Sequence, residues 1–210
     1  MADTTPLGPD GFQAAMAVSR ETLDRLQIYA DLLVKWQKSL NLVGPSTLDD
    51  LWRRHMQDSA QLLRFIPEET RSLLDLGSGA GFPGLVLAIL GVRGVELVES
   101  DQKKAVFLRE VSRETGAGVV VHACRIEELA KKSADVVTAR ALAPLDRLVP
   151  MMSRFMGEGS IGLVPKGADV AAELARASLV CHLSYTCHTS MTDSCSTILV
   201  INNVWYGGRK

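Results

Sequence analysis

Apolar side chains along this chain keep one period up to about residue 70 and another after it. In the first stretch Leu23, Leu26, Leu33, Trp36 and Leu40 recur at helical intervals, and Ser19 with Glu21 just behind it predicts where that helix starts. A short helix over 12–18 is expected before it. Asn41-Leu42-Val43-Gly44-Pro45 breaks the pattern, and Thr47-Leu48-Asp49-Asp50 resembles a capping box opening a second helix through Leu51, Trp52 and Met56. Another short helix carrying Leu62, Leu63 and Phe65 ends at Pro67. Residues 1–70 therefore read as a helical extension whose apolar stripe needs a surface to pack on.

From Leu73 onward, short apolar runs bounded by turn residues alternate with helical patterns, the mark of a largely parallel sheet. Strands are expected at Leu73–Leu76, Val95–Val98, 118–122, Ala134–Thr138 and 161–164. Helices are expected at 83–90, 103–115, 127–132, 145–156 and 169–178, with Gly157 and Gly159 stopping the one at 145–156. Segments 179–185 and 197–201 are expected to form a closing antiparallel hairpin. Residues 71–210 are thus an α/β domain with a doubly wound, mostly parallel sheet. Right-handed crossovers bring Gly77, Glu99, Arg125 and Arg140 to one edge of it.

The run from Ser72 to Gly84 carries the clearest chemistry. Strand-like residues lead into a loop with glycine at Gly77, Gly79 and Gly81, and Pro83 stands where a helix start tolerates a missing N–H. Such a loop lets a ligand approach bare backbone at a helix N-terminus. A dinucleotide fingerprint needs glycine at position 82, which is Phe82, so the order is G-x-G-x-G. That order resembles motif I of class I methyltransferases, whose cofactor is S-adenosylmethionine. Glu99, about twenty residues on, sits where a doubly wound fold places an acid for ribose hydroxyls.

The formal net charge of −1 gives no global pull on nucleic acid, although residues 71–210 carry 16 Lys/Arg against 14 Asp/Glu. Cys124, Cys181, Cys187 and Cys195 show no zinc spacing, so no metal is expected. The longest run without a charge, Leu76 to Val92, is interrupted by glycine and proline and reads as loop and helix, not a bilayer span. A soluble cytoplasmic protein is expected, and nothing demands more than a monomer.

The chain resembles the RsmG family, also called GidB, of small-subunit ribosomal RNA guanine-N7 methyltransferases, over about residues 30–167. The matching residues are Lys35-Trp36, Asn41-Leu42, Arg54-His55 with Asp58-Ser59, the loop from Leu74 to Gly84, Lys103 to Val111, Arg125 with Glu127-Glu128, Val137 to Ala143, and Lys166-Gly167. The resemblance implies a class I methyltransferase, Rossmann-like fold and a cytoplasmic bacterial enzyme that methylates N7 of one guanine in a 16S RNA loop. It implies that S-adenosylmethionine meets Gly77, Ser78, Gly79, Gly81, Phe82, Glu99, Ile126, Glu127 and Arg140, and that Asn41, His55, Lys103, Arg125 and Lys166 face RNA. The partner is 16S rRNA or a small-subunit assembly particle, with no membrane and no DNA. Three departures stand out: Gln37 where the family often has Asn, Ser196-Thr197 where a basic residue is usual, and an ending that is unusual until Arg209-Lys210.

Guanine N7 presents a bare lone pair, so the reaction needs neither general base nor covalent nucleophile. Positioning dominates. A donor aimed at N7 would occupy the attacking lone pair, so Arg140, the candidate catalytic residue, is left to address O6 or the cofactor carboxylate. His55 reads equally as a packed helix histidine bonding Asp58 or a backbone group, Lys103 and Lys104 equally as solvated helix-start charges, and Lys166 equally as a turn residue. A methyltransferase acting on a small molecule or protein, and a non-catalytic binder of RNA or cofactor, stay open on the sequence alone.

Overall fold

The computed structural model describes residues 6–206; the chain's first threonines and Arg209-Lys210 lie outside the described residues. Helices α1 (Pro9–Met16) and α2 (Arg20–Gln37) open it. Ser19 caps α2 as its sequence position suggests, its Oγ accepting from Thr22 N at 3.1 Å. The helix ends at Gln37, before Leu40, because the Gln37 side chain takes over the turn: Oε1 accepts from Leu42 N and Val43 N, and Nε2 donates to Val43 O.

The expected capping box does not form. Thr47 Oγ1 donates back to Gly44 O, and Asp50 Oδ1 accepts from Leu7 N, so neither side chain is free to cap. Pro45–Asp50 is a 3-10 helix, Trp52–Gln57 is a π-helical segment, and α3 (Asp58–Ala60) runs into a 3-10 turn at Gln61–Phe65.

Seven strands follow: β1 (Leu73–Leu76), β2 (Val95–Val98), β3 (Val120–His122), β4 (Ala134–Thr138), β5 (Met156–Lys166), β6 (His182–Thr189) and β7 (Thr197–Trp205). Their order is β3-β2-β1-β4-β5-β7-β6; β1 to β5 pair in parallel, and β7 lies antiparallel between β5 and β6. Helices α4 (Gly84–Ile89), α5 (Gln102–Thr115), α6 (Leu145–Ser153) and α7 (Val170–Ala177) connect them. This is the doubly wound, mostly parallel sheet with an inserted antiparallel strand.

Strand alternation divides the interior in two. Leu73, Val95 and Leu97 face one layer with Phe12, Leu26, Tyr29 and Leu33 of the extension and Phe107 and Val111 of α5. Leu74, Leu76 and Val98 face the other, with Leu145, Leu148 and Met152 of α6. Both faces of β1 are buried, its three leucines dividing between the two layers and Asp75 buried with them. The stripe on α1 and α2 is buried against the sheet layer shared with α4 and α5.

Three further expectations are corrected here. Residues 127–132 are not a helix: only a 3-10 turn, Ile126–Glu128, forms, with Arg154 taking the Ile126 and Glu127 carbonyls and Lys132 drawn to Glu96. Gly157 and Gly159 do not stop a helix; α6 ends at Ser153 and both glycines lie within β5. The register against β4 jumps there, with Ser160 Oγ bridging Gly157 N and Ala134 O. The hairpin also starts later than 179–185, because Leu179 and Val180 bond back to α7 as a turn.

Candidate functional site

The strand order reverses between β1 and β4, and a crevice at the carboxyl ends of the strands follows from that topology. A cavity of about 460 Å³ opens there, lined by Gly77, Ser78, Gly79, Phe82, Glu99, Arg125, Ile126, Glu127 and Arg140. Gly81 lies under the loop instead of on the cavity wall, and Lys104 lines the cavity where Lys103 does not. Asn41 stays outside too, although its neighbours Leu42 and Val43 line the cavity.

Two of the loop glycines are required by close approach. Gly77 has φ +65°, and a Cβ there would meet Leu142 Cδ1 at 2.5 Å, so the loops after β1 and β4 touch across it. Gly81 has φ +99°, and a Cβ would strike Leu85 and the Tyr29 hydroxyl. That hydroxyl, fully buried, donates to Ala80 O at 2.6 Å and ties α2 to the loop. Burial raises the Tyr29 pKa well above its ordinary value, so it remains a donor.

Beneath the loop, Asp75 is fully buried and accepts from Thr138 Oγ1 at 2.8 Å and Gly84 N at 3.3 Å. Burial raises its pKa to about 6, with the Thr138 bond the largest opposing cause. At the end of β2, Glu99 accepts from Gly79 N at 2.8 Å and Asp101 N at 2.7 Å, one bond to each oxygen. Each oxygen keeps acceptor capacity for a vicinal diol. With apolar walls from Leu42, Val43, Phe82 and Ile126, this cavity suits a nucleoside carrying a polar tail.

Arg140, just after β4, stands where this cavity meets a second one. The second holds about 470 Å³ and is lined by Thr47, Arg54, His55, Asp58, Lys166, Glu173, Thr192 and Asp193, with Arg140 and Ala141 common to both cavities. Arg140 Nη1 donates to Asp58 Oδ2 at 3.1 Å and to Arg54 O at 3.2 Å, and Nη2 donates to His55 Nδ1 at 2.8 Å. Its guanidinium also lies 4.9 Å from the Phe82 ring centre. Three of five N–H groups are thereby engaged, leaving two for a ligand.

His55 lies flat against Phe82, ring centres 4.9 Å apart, and its partners fix its tautomer. Thr47 Oγ1 gives its hydrogen to Gly44 O, so it accepts from His55 Nε2–H, leaving Nδ1 bare for Arg140. Burial first, then the charges of Arg140 and Arg54, lower its pKa to about 3. Its partners are thus Arg140 and Thr47, not the Asp58 or backbone group that the sequence suggested. Lys166 is half-buried and committed to Glu173 Oε2 at 2.7 Å and Ala143 O at 2.9 Å, whereas Lys103 is exposed at the start of α5.

The sequence left Tyr29, Asp75, Lys104, Gln61 and Asp193 without a role. Asp58 had a signal: His55 and Asp58 are three apart and share a helical face.

Residues 22–199 match the GidB family, described as rRNA small subunit methyltransferase G. The ribosomal RNA small subunit methyltransferase G of Rhodospirillum centenum is 55% identical over 193 residues, 92% of this chain and 89% of that protein. That of Paramagnetospirillum magneticum is 50% identical over 201 residues, 96% of this chain and 98% of that protein. Among solved structures, an O-methyltransferase from Bacillus cereus in complex with SAH superposes with a TM-score of 0.60 at 12% identity, covering 97% of this chain and 100% of the other. That likeness establishes the class I methyltransferase fold.

Proposed function

The chain belongs to the rRNA small subunit methyltransferase G family, and from that premise we propose that it transfers a methyl group from S-adenosylmethionine to N7 of a guanine in 16S rRNA, in the bacterial cytoplasm. The observation carrying this reading is the meeting of two cavities at Arg140, one suited to a nucleoside donor and one open to a base.

The first cavity fits the donor on its own chemistry: bare loop backbone at Gly77 and Gly79, acceptor capacity on Glu99, and apolar walls. Glu99 would take the ribose hydroxyls and Ile126 and Glu127 would border the base, with Arg125 and Lys104 lining the same cavity. When bound, S-adenosylmethionine supplies an electrophilic methyl group on a sulfonium. The protein's own task is alignment and exclusion of water. Phe82, His55 and the extension cover the junction, and Arg140 spends its remaining N–H groups on O6 of the base or the donor's carboxylate. No side chain needs to remove a proton, because N7 carries none. Arg54 and Lys103 are available to phosphates flanking a splayed-out nucleotide.

Incubation with methyl-labelled S-adenosylmethionine and either naked 16S RNA or small subunits from cells lacking the modification tests the acceptor. Label in the RNA fraction of at least one substrate is expected. Donor binding with label only in protein, or in neither fraction, would move the assignment to a protein or small-molecule methyltransferase, or to a binder without turnover.

A further inference from the structure

Three carboxylates line the second cavity, and two are already committed. Asp58 gives Oδ2 to Arg140 and Oδ1 to Gln61 and Thr192. Glu173 Oε2 accepts from Lys166 and from Leu145 N. Asp193 differs. Its Oδ1 accepts from Cys195 N at 2.9 Å and its Oδ2 from Ser196 Oγ at 2.8 Å, so each oxygen keeps a further acceptor position. No salt bridge among the described residues includes it. The side chain is exposed, and its bonds to Cys195 N and Ser196, with the Arg54 charge nearby, lower its pKa and keep it ionised.

The loop presenting Asp193, residues 190–196 between β6 and β7, is fastened to the helical extension. Met191 N donates to Gln61 Oε1 at 2.8 Å, Gln61 Nε2 donates to Ser190 Oγ at 3.0 Å, and Thr192 Oγ1 donates to Asp58 Oδ1 at 3.0 Å. Gln61 and Ser190 are both buried. Because Asp58 also holds Arg140, one network sets the Asp193 loop relative to the arginine at the cavity junction.

We propose that Asp193 determines base specificity: its carboxylate accepts N1–H and N2–H of the target guanine's Watson–Crick edge, while Gln61 and Asp58 act as positioning residues for its loop. This rests on the guanine reading above. Guanine alone among the four RNA bases offers two neighbouring donors on that edge; adenine would set its N1 lone pair against the carboxylate. N7 lies on the far, Hoogsteen side with O6 between the two edges, so a base gripped at Asp193 turns N7 toward the first cavity and O6 toward Arg140.

The test compares small subunits reconstituted with guanosine or inosine at the target position, inosine lacking only the N2 amine. Wild-type protein is expected to lose about 10-fold or more in kcat/KM with inosine, the scale of losing one arm of a bidentate base contact. Asp193→Asn is expected to lose roughly 10- to 100-fold on guanosine and to treat the two bases alike. Gln61→Leu should blunt the same preference, with an unchanged Kd for S-adenosylmethionine in both variants showing that the fold is intact. An Asp193→Asn protein that keeps the wild-type preference overturns the assignment while leaving N7 methylation standing. Wild-type protein that labels neither RNA defeats the guanine reading and this assignment together.

Discussion

Arg140 is the residue on which most side chains of the site converge, and its geometry is one that lysine cannot copy. It makes two bonds from one nitrogen, one from another, and covers Phe82. Arg140→Ala is expected to lower kcat/KM roughly 100- to 1000-fold, and Arg140→Lys to recover little of it, in single-turnover methyl transfer. His55 and Asp75 titrate in opposite senses. His55 falls from 6.5 to about 3 on folding, so stability drops as pH falls below 6.5, when the unfolded chain takes up a proton the native one refuses. Asp75 rises from 3.8 to about 6, so its contribution drops as pH rises from 3.8 through 6. Between those two values the slopes cancel. His55→Gln removes one of them, and urea denaturation should then show stability rising on acidification from pH 6 to 4 relative to wild type, by about 1.4 kcal/mol per pH unit. An unchanged pH dependence would show that His55 is not held neutral.

Among the elements, the glycine loop and α2 work as one piece. The Tyr29 hydroxyl bond to Ala80 O and the stacking of Tyr29 on Phe82, ring centres 5.2 Å apart, carry order from the extension into the loop. Tyr29→Phe keeps the stacking and loses the bond, so calorimetry should give about 1 kcal/mol weaker binding of S-adenosylmethionine, with kcat nearly unchanged. The strands of the α/β part could be read from the sequence because buried parallel strands are mainly apolar runs with glycine after them, as at Leu73–Leu76, where only Asp75 is polar. The stretch from Pro45 to Phe65 could not, since its bonding is settled by distant partners such as Leu7, Arg140 and Ser190. The π-helical segment there brings Arg54 O, His55 and Asp58 to one guanidinium, a local irregularity that no helical period announces. The edge carrying Gly77, Glu99, Arg125 and Arg140 was legible from topology alone, whereas Gln61 and Asp193 depend on contacts more than a hundred residues apart in sequence.

For the molecule as a whole, the extension supplies half of a core layer and one wall of the second cavity, so the division at residue 70 marks a change of pattern and not of independence. Leu26, fully buried between α2 and the sheet layer, should cost about 2–5 kcal/mol on replacement by alanine, read as one cooperative transition by denaturation; a split transition would mean that the extension unfolds separately. None of the described helices is long and apolar enough to cross a membrane. The measurement that bears most directly on the account is the position of the methyl group. Small subunits lacking the modification, treated with the protein and S-adenosylmethionine, are probed by strand cleavage at N7-methylated guanine. Cleavage at a single loop guanine in 16S RNA, absent when Arg140→Ala is used, is the result expected. Methylated RNA that gives no N7-dependent cleavage would contradict it, placing the transfer on another atom.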